Sequence, residues 1–291
     1  MTVKPLTGLV RRMTNEKYHA RPEMSSSAFS VLAQSPLHFW TKYRDPNREK
    51  KPSTVTQMFG TAWHSSFFEP AEFAKLYIEL PEGIDRRTKE GKQLWADIEA
   101  SGKTPLSGDD MKRLKAMTDA ARAHPVAQAI FAKKLKGIAE ASLFWTDPTT
   151  SVACRMRPDF MIRPCKDFPN GLILDGKTCE DGSPAGFAKS VWNWEYFYQA
   201  AFYTDGFQEV FKTPEPPPFI WAGQEKEAPF ETAFYSAGKD LIQYGRKKYK
   251  RLLNVLAECE RTETWPGYAK IIQPLSLPVW ADKEVQQEIA S

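Results

Sequence analysis

The chain has 291 residues, of which 42% are hydrophobic and 26% are charged, and its formal net charge is +4. This length and composition are typical of one large globular domain or two small ones. The charge is too small to indicate nucleic-acid binding by itself, so any basic surface must be local. No apolar run is long enough to span a membrane, and no membrane partner is expected.

Signals for export and for common cofactors are also missing from the sequence. The N-terminus lacks an apolar segment followed by a small-residue cleavage site, so we expect a cytoplasmic protein. The four cysteines are separated by 10, 13 and 79 residues, which fits neither a zinc pair nor an iron–sulfur cluster and favours buried free thiols. A Walker A sequence does not occur, so no use of ATP is expected.

The predicted elements begin with a basic, irregular tail over residues 1–23, followed by a single domain over residues 24–291. Residues 25–43 are predicted to form two helices. Ser35 is a good N-cap for the second of them, and Pro36 suits its first turn.

The next part of the chain is predicted to be mostly helical. A charged loop over residues 44–57 leads into a short apolar helix over residues 58–70, whose last residue is a proline that ends it. Residues 71–87 are predicted to be an extended stretch and a loop. Apolar residues at three- and four-residue spacing then predict helices over residues 88–100 and 108–135.

Three strand candidates follow. They are "EASLFWTD" (residues 140–147), "SVACRMRPDFMIR" (residues 151–163) and "GLILDGKT" (residues 171–178). Asp147 and Pro148 mark a turn that joins the first two strands as a hairpin.

Helices and strands alternate in the rest of the chain. Ser183 and Pro184 open a helix, and residues 195–212 form a longer one. "PFIWAGQE" and "PFETAFYS" are further strands, and residues 237–262 form a long amphipathic helix before a proline-rich end without regular structure. This pattern predicts one mixed α/β domain with a helical N-terminal part.

Two acids and a lysine stand on neighbouring predicted strands. Asp159 follows Pro158, and Asp175 and Lys177 lie two residues apart, hence on one face of their strand. A hairpin between the strands can bring the two acids together, where they would suit a hard cation such as Mg²⁺. Such a metal lowers the pKa of a bound water and stabilises charge on a phosphate. The pattern P-D-(x)n-(D/E)-x-K is weak alone, because an edge-strand ion pair and a turn cap explain it equally well.

Three further residues add to this pattern. His64 lies on the predicted apolar helix, where a single histidine is more often a core residue than a ligand. Gln199 and Tyr203 are four residues apart and share one helical face, which by itself indicates only an amphipathic helix. The fixed order of all these residues along the chain is more specific than any one of them.

This order resembles that of the RecB-type branch of the PD-(D/E)xK nucleases, and more closely the nuclease domain of the exodeoxyribonuclease VIII (RecE) group with its phage and prophage relatives. The resemblance covers most of residues 24–281. The matching stretches are "SSSAFSVLAQSPLHFW", "FGTAWHSSFFEP", "EASLFWTDPTTSVACRMRPDF", "ILDGKTCEDGSPAGFAKSVWNWEYFYQAAFYTDGF" and "TWPGYAKIIQPLSLPVWA". It implies a restriction-endonuclease-like core, with a mixed β-sheet flanked by helices.

The resemblance also implies roles for individual residues. The metal ions would be surrounded by His64, Asp159, Asp175 and the backbone carbonyl of Gly176. Lys177 would contact the scissile phosphate or orient the attacking water.

Further residues are placed near the metal site by the same resemblance. Gln199 and Tyr203 would line the site and contact the DNA strand. Glu140 matches an acid near the site in the family, and its role stays open. Many relatives carry a bulky apolar residue where this chain has Gly176.

The activity implied by the resemblance is a Mg²⁺-dependent exonuclease, with Mn²⁺ as a substitute, that degrades one strand from double-stranded DNA ends. It implies 5′-to-3′ polarity and a 3′ single-stranded tail for recombination. It further implies a homo-oligomeric ring, a RecT-like single-strand annealing partner, and the cytoplasm of a bacterial or phage-infected cell. The alternatives are an endonuclease with the same chemistry and a non-catalytic DNA-end-binding protein that retains the fold.

Other basic and aromatic residues are weaker candidates for DNA contact. Arg155 and Arg157 precede Asp159 on its predicted strand and are well placed to meet phosphates. The basic run over residues 245–253 is interpreted as a solvated helical face, with contact to the DNA backbone as the alternative. The aromatic cluster at residues 192–197 is interpreted as packing, with base stacking as the alternative.

Overall fold

The computed structural model describes residues 5–48, 55–132 and 135–277. The start of the predicted tail, residues 49–54 of the predicted charged loop and the end of the proline-rich segment lie outside these residues. Among the described residues, no helix is both long and apolar enough to cross a bilayer.

Helices make up almost half of the described chain. The α-helices are α1 (Asn15–His19), α2 (Phe29–Gln34), α3 (Pro36–Phe39), α4 (Val55–Phe68), α5 (Pro70–Leu76), α6 (Lys89–Ser101), α7 (Gly108–Ala123), α8 (Pro125–Ile130), α9 (Pro184–Asn193), α10 (Tyr196–Phe211) and α11 (Lys239–Thr262). A 3₁₀-helix (Ser26–Ala28) precedes α2, and a π-helix (Trp40–Arg44) follows α3.

The strands form three sheets. The strands are β1 (Gly8–Val10), β2 (Tyr77–Glu79), β3 (Thr104–Leu106), β4 (Ile138–Ala139), β5 (Ser142–Thr146), β6 (Ala153–Met156), β7 (Phe160–Ile162), β8 (Leu172–Cys179), β9 (Phe219–Glu225) and β10 (Thr232–Ser236). The central sheet has the order β10-β9-β8-β7-β4, in which β8 and β9 are parallel and the other pairs antiparallel. The smaller sheets are β1-β5-β6 and β2-β3.

The central strand β8 divides the apolar core into two clusters. Ile173 belongs to the cluster that includes side chains of α9, α10 and α11, whereas Leu172 and Leu174 belong to the cluster that includes side chains of α4, α7 and α8. This alternation follows from the two-residue period of a strand. Because both faces are covered by helices, the strand reads as a continuous apolar run in the sequence.

The predicted fold class is confirmed by this architecture. A mixed sheet is flanked by helices, and the N-terminal part is helical. The two long C-terminal helices are also confirmed, as α10 (Tyr196–Phe211) and α11 (Lys239–Thr262).

Three predicted elements differ from the structure at a proline. The single strand predicted over residues 151–163 is wrong: β6 and β7 belong to different sheets, because Pro158 between them has no N–H to donate to a ladder. The helix predicted over residues 108–135 is divided at Pro125, and Pro70 begins α5 where an extended stretch was predicted. In both helices the proline occupies the first turn, where its missing N–H costs nothing.

The irregular conformation predicted for residues 1–23 is wrong at two places, β1 and α1. Strand β1 pairs with β5, and Tyr18 of α1 is only 6% exposed. The Tyr18 ring lies under two guanidinium groups, 4.6 Å from Arg155 and 4.1 Å from Arg157. The domain boundary at residue 24 stays a prediction.

We therefore predict that Tyr18→Ala destabilises the whole domain. Loss of a buried aromatic ring should lower the free energy of unfolding by about 3 kcal/mol, as measured by urea denaturation. Tyr268→Ala is the control, because Tyr268 is 67% exposed and its loss should matter little. Equal stabilities for the two variants would mean that the N-terminal segment is an accessory tail after all.

Candidate active site

The candidate site is built where the apolar part of β8 ends. Asp175, Gly176 and Lys177 lie within β8, directly after its three buried residues. Their side chains alternate between the two faces of the strand, so Asp175 and Lys177 share the face that is covered by α10. The predicted pairing with Asp159 is confirmed, because β7 and β8 form an antiparallel hairpin in which Phe160 is opposite Leu174.

Asp175 is the most deeply buried charged side chain of the site. It is 1% exposed, its Oδ1 contacts Nζ of Lys177, and its Oδ2 accepts a hydrogen bond of 2.5 Å from Nε2 of Gln199. Burial raises the pKa of Asp175 to about 6, with Lys177 opposing this shift and the charge of Asp159 adding to it. The cationic neighbour therefore opposes protonation of this buried carboxylate.

Asp159 is held by a backbone donor and an imidazole. Its Oδ2 accepts a hydrogen bond of 2.7 Å from the N–H of Gly176 and lies 3.1 Å from Nδ1 of His64. Burial acts to raise the pKa of Asp159, but His64, Lys177 and the Gly176 N–H outweigh it and hold the pKa below its usual value. Asp159 in turn raises the pKa of His64 against the effect of burial.

Lys177 bridges the carboxylates and an aromatic ring. Burial acts to lower its pKa, but Asp175 and Asp159 outweigh burial and raise the pKa above its usual value. The Nζ atom lies 5.0 Å from the ring centroid of Tyr196 at the start of α10. A protonated amine is thus fixed beside both acids.

Glu140 adds a third acid to this group. Its N–H donates a hydrogen bond of 3.1 Å to the carbonyl of Asp159, and its φ of 49° places it in the left-handed region. The carboxylate lies 4.0 Å from Nε of Arg157. Burial and then the charge of Asp159 raise the pKa of Glu140 well above its usual value. The acids of the site therefore repel one another, and a bound cation would relieve this repulsion.

Gly176 has no side chain because an aromatic ring occupies the space. A Cβ at this position would lie 2.7 Å from Cζ3 of Trp63 and 2.9 Å from Cε2 of Phe68, both on α4. Trp63 is fully buried and precedes His64 in the chain. The close approach of α4 to the backbone of β8 thus sets where His64 meets Asp159.

Arg155 lies on β6, Arg157 follows the end of that strand, and Tyr203 lies on α10. Arg157 donates to Oγ of Ser142 and to the carbonyl of Met13, each at 2.9 Å, and the hydroxyl of Tyr203 donates to the carbonyl of Arg157 at 3.3 Å. Arg155 is 6% exposed and donates to a backbone carbonyl of α1. Their contact with DNA stays a prediction.

A groove of about 1690 Å³ opens over these residues. One wall is the N-terminal segment between Asn15 and Arg48, and the other is the start of α10. The site residues that line the groove are Glu140, Arg155, Arg157, Asp159, Asp175, Lys177, Gln199 and Tyr203. The groove is open to the surface, and Asp175 and Asp159 lie largely buried at its base.

The donor chemistry fits a divalent cation. Carboxylate and carbonyl oxygens suit Mg²⁺ or Mn²⁺, and an imidazole is better suited to Mn²⁺. Among the described residues, no group of three or more histidine, cysteine or acidic side chains is arranged so that it could hold a metal ion. Nζ of Lys177 instead contacts one oxygen of Asp175, and Nδ1 of His64 lies 3.1 Å from one oxygen of Asp159.

Most of the residues predicted for the site are brought together. His64, Asp159, Gly176, Asp175, Lys177 and Gln199 form one connected set of contacts. The sequence analysis missed Trp63 and Tyr196. Trp63 directly precedes His64, and the unusual glycine at position 176 is the signal that a bulky side chain packs there.

Comparisons with known proteins agree with this geometry. The sequence profile of a family described as a PDDEXK-like domain of unknown function (DUF3799) matches residues 25–277. The chain is also similar to a crystal structure from Eubacterium rectale named "Putative exonuclease", with 15% identity, a TM-score of 0.58, and coverage of 94% of this chain and 98% of that one. At this identity the similarity shows the fold alone.

Two further comparisons carry no argument about this chain. The crystal structure of SSO0001 is 9% identical over 68% of this chain and 88% of its own, with a TM-score of only 0.29. A search of curated protein sequences found no match.

We predict that Gly176→Ala disturbs the site through Trp63. The added Cβ should force the ring away and lower the free energy of unfolding by about 1–3 kcal/mol. Trp63→Phe in the same chain should recover part of this loss by making room. Gly60→Ala on α4 is the control, because a Cβ there meets nothing within 4 Å. If Gly176→Ala is as stable as Gly60→Ala, the close approach is not a constraint.

We also predict that His64→Gln weakens the response to metal. Even outer-shell partners of a metal change its affinity by about 10–100-fold, so loss of a ligand should raise the Mn²⁺ concentration for half-maximal cleavage by about tenfold or more. His124→Asn, which alters a histidine at the junction of α7 and α8, should leave the curve unchanged. An unshifted curve in His64→Gln, together with lower stability in the absence of metal, would make His64 a packing residue.

Proposed function

Because the chain belongs to the family of PDDEXK-like domains, we propose that it is a metal-dependent nuclease that hydrolyses phosphodiester bonds in DNA. Asp175 and Lys177 of the PD-(D/E)xK pattern lie on the central strand β8, and Asp159 directly precedes β7. The observation that carries this proposal is the contact between Lys177 and Asp175 beside Asp159, at the base of an open groove. A buried pair of acids with a fixed amine is expensive to maintain unless it has a function.

The residues of the site have separate tasks in this reaction. When bound, a divalent cation would be held by Asp159, Asp175, His64 and the Gly176 carbonyl, and would supply an activated water and a counter-charge for the phosphate. The protonated Lys177 donates to a phosphate oxygen and stabilises the charge that grows there. One P–O bond forms to the water oxygen as the P–O bond to the leaving oxygen breaks, and the leaving oxygen takes a proton.

Neighbouring groups keep this arrangement fixed. The amide of Gln199 holds one oxygen of Asp175, and the N–H of Gly176 holds one oxygen of Asp159. Tyr196 limits the movement of the Lys177 amine. The geometry is thus prepared before the substrate binds, which lowers the reorganisation that the reaction requires.

The finer parts of the proposal rest on the resemblance to the exodeoxyribonuclease VIII group. These are the use of Mg²⁺ with Mn²⁺ as a substitute, attack from double-stranded ends, 5′-to-3′ polarity and a 3′ single-stranded tail for recombination. A homo-oligomeric ring, a RecT-like annealing partner and a cytoplasmic location belong to the same proposal. None of these follows from the geometry of the site.

Digestion of linear duplex DNA, labelled separately at its 5′ and 3′ ends, tests the activity and its polarity together. With Mg²⁺ present, the 5′ label should be released first as mononucleotide, and EDTA should stop the reaction. Closed circular DNA should stay intact, since it has no ends. Cutting of the circle would identify an endonuclease, and no cleavage of either substrate with Mg²⁺ or Mn²⁺ would contradict a nuclease.

We predict that Lys177→Ala separates catalysis from metal binding. Removal of one charge-stabilising donor should lower the rate of cleavage by about 100-fold or more. Calorimetric titration with Mn²⁺ should show that binding is largely retained, because a protonated amine is not a metal ligand. Asp175→Ala is the matched comparison and should lose both cleavage and metal binding. If Lys177→Ala no longer binds the metal, its role is to hold Asp175 in place.

A further inference from the structure

Large aromatic side chains are exposed beside the groove. Trp192 is 62% exposed, Trp194 is 71% exposed, and Tyr244 of α11 is 39% exposed. Exposed tryptophan is unfavourable in water, so a group of such rings marks a surface that binds something. These rings belong to the aromatic cluster and the basic run that the proposed active site leaves unexplained.

The exposed rings connect directly with the catalytic groove. Trp194 lines the groove and lies two residues before Tyr196, whose ring is beside the Lys177 amine. Two residues of extended chain span about 7 Å at most, so the backbone of Trp194 lies close to that of Tyr196, the residue whose ring is beside Lys177. The left-handed conformation of Glu195, with φ of 54°, turns the chain sharply between α9 and α10 and leaves Trp194 at the corner.

The aromatic surface continues from the groove onto α11. Trp192 stacks on Tyr244 with ring centroids 5.7 Å apart, and Phe197 meets Tyr244 edge-on at 5.0 Å. Trp194, in contrast, has no ring partner within the described residues. Its indole face is therefore available to another planar group.

Basic side chains extend this surface along α11. Tyr244, Lys247, Lys248 and Arg251 recur at three- and four-residue spacing, so they share one face of the helix. In the described chain, none of these three cations forms a salt bridge, although Arg246 and Lys250 of the same helix pair with acids. The Lys248 amine lies 5.7 Å from the ring of Tyr244. Three aromatic rings are thus followed along one path by three cations that form no salt bridge in the described chain.

We infer that this path, the aromatic–basic strip of Trp194, Trp192, Tyr244, Lys247, Lys248 and Arg251, binds a segment of single-stranded DNA where it leaves or enters the groove. Aromatic rings beside cations are the combination that binds single strands without sequence preference, because every base has a face to stack and every phosphate a charge. A duplex hides its base faces, so the exposed rings favour a single strand. The inference deepens the proposed nuclease function and rests on it.

Binding of a fluorescein-labelled oligothymidylate, followed by anisotropy in EDTA, tests the strip without any need for cleavage. Trp194→Ala and Trp192→Ala should each weaken binding by about fivefold or more, since a stacked base is lost. Trp194→Phe keeps a ring and should bind close to wild type. Unchanged affinity in both alanine variants would overturn the inference.

The salt dependence of the same binding tests the cations. Lys247→Ala combined with Arg251→Ala should reduce the slope of log K against log salt by about 1.4, because each single-strand phosphate contact contributes about 0.7. Lys112→Ala combined with Lys115→Ala is the charge-matched control on α7, where both lysines are exposed and pair with acids of their own helix. An equal change of slope in the two double variants would contradict a local contact.

Other outcomes distinguish the possible occupants and the two proposals. If the tryptophan variants change the oligomeric state in sedimentation but not the affinity for DNA, the strip is a subunit interface and the inference fails. A chain whose strip variants bind DNA as tightly as wild type, yet which degrades duplex DNA with Mg²⁺, contradicts the strip alone. A chain that binds through the strip but never cleaves contradicts the nuclease function alone.

Discussion

The close approach of α4 to the backbone of β8 is the constraint on which the site depends. Trp63 fills the space that a side chain at position 176 would need, so only glycine allows the helix to lie this near the strand. His64 follows Trp63 and therefore reaches Asp159, while the N–H of Gly176 donates to the same carboxylate. One packing contact thus fixes an acid, an imidazole and a backbone carbonyl relative to one another.

Each of the two buried aspartates of the site has a basic side chain beside it. Asp175 and Asp159 are both buried, and each has a basic side chain in contact, Lys177 for the first and His64 for the second. The raised pKa of Asp175 and of Glu140 shows that burial and mutual repulsion still favour protonation of the acids. A site with this residual strain is less stable than an apolar core of the same size, and binding of a divalent cation would remove part of the cost.

The local parts of this arrangement were predictable from sequence, whereas the long-range parts were not. The two-residue period placed Asp175 and Lys177 on one face, and the hairpin placed Asp159 beside them, because both follow from strand geometry. The change of sheet at Pro158 and the burial of Tyr18 depend on contacts between distant segments, which a single sequence does not encode visibly. The resemblance to a known family supplied His64 and Gln199. The packing of Trp63 was not predicted, and the only sign of it in the sequence was the glycine at position 176.

The most direct test of the account is a crystal structure of the protein soaked with Mn²⁺, read in an anomalous difference map. We expect a single dominant peak, or two close ones, coordinated by Asp159, Asp175, His64 and the carbonyl of Gly176, with the Lys177 amine displaced from Asp175 toward the groove. A peak elsewhere, or no peak while Lys177 stays in contact with Asp175, would contradict the claim that these residues form a metal-dependent active site.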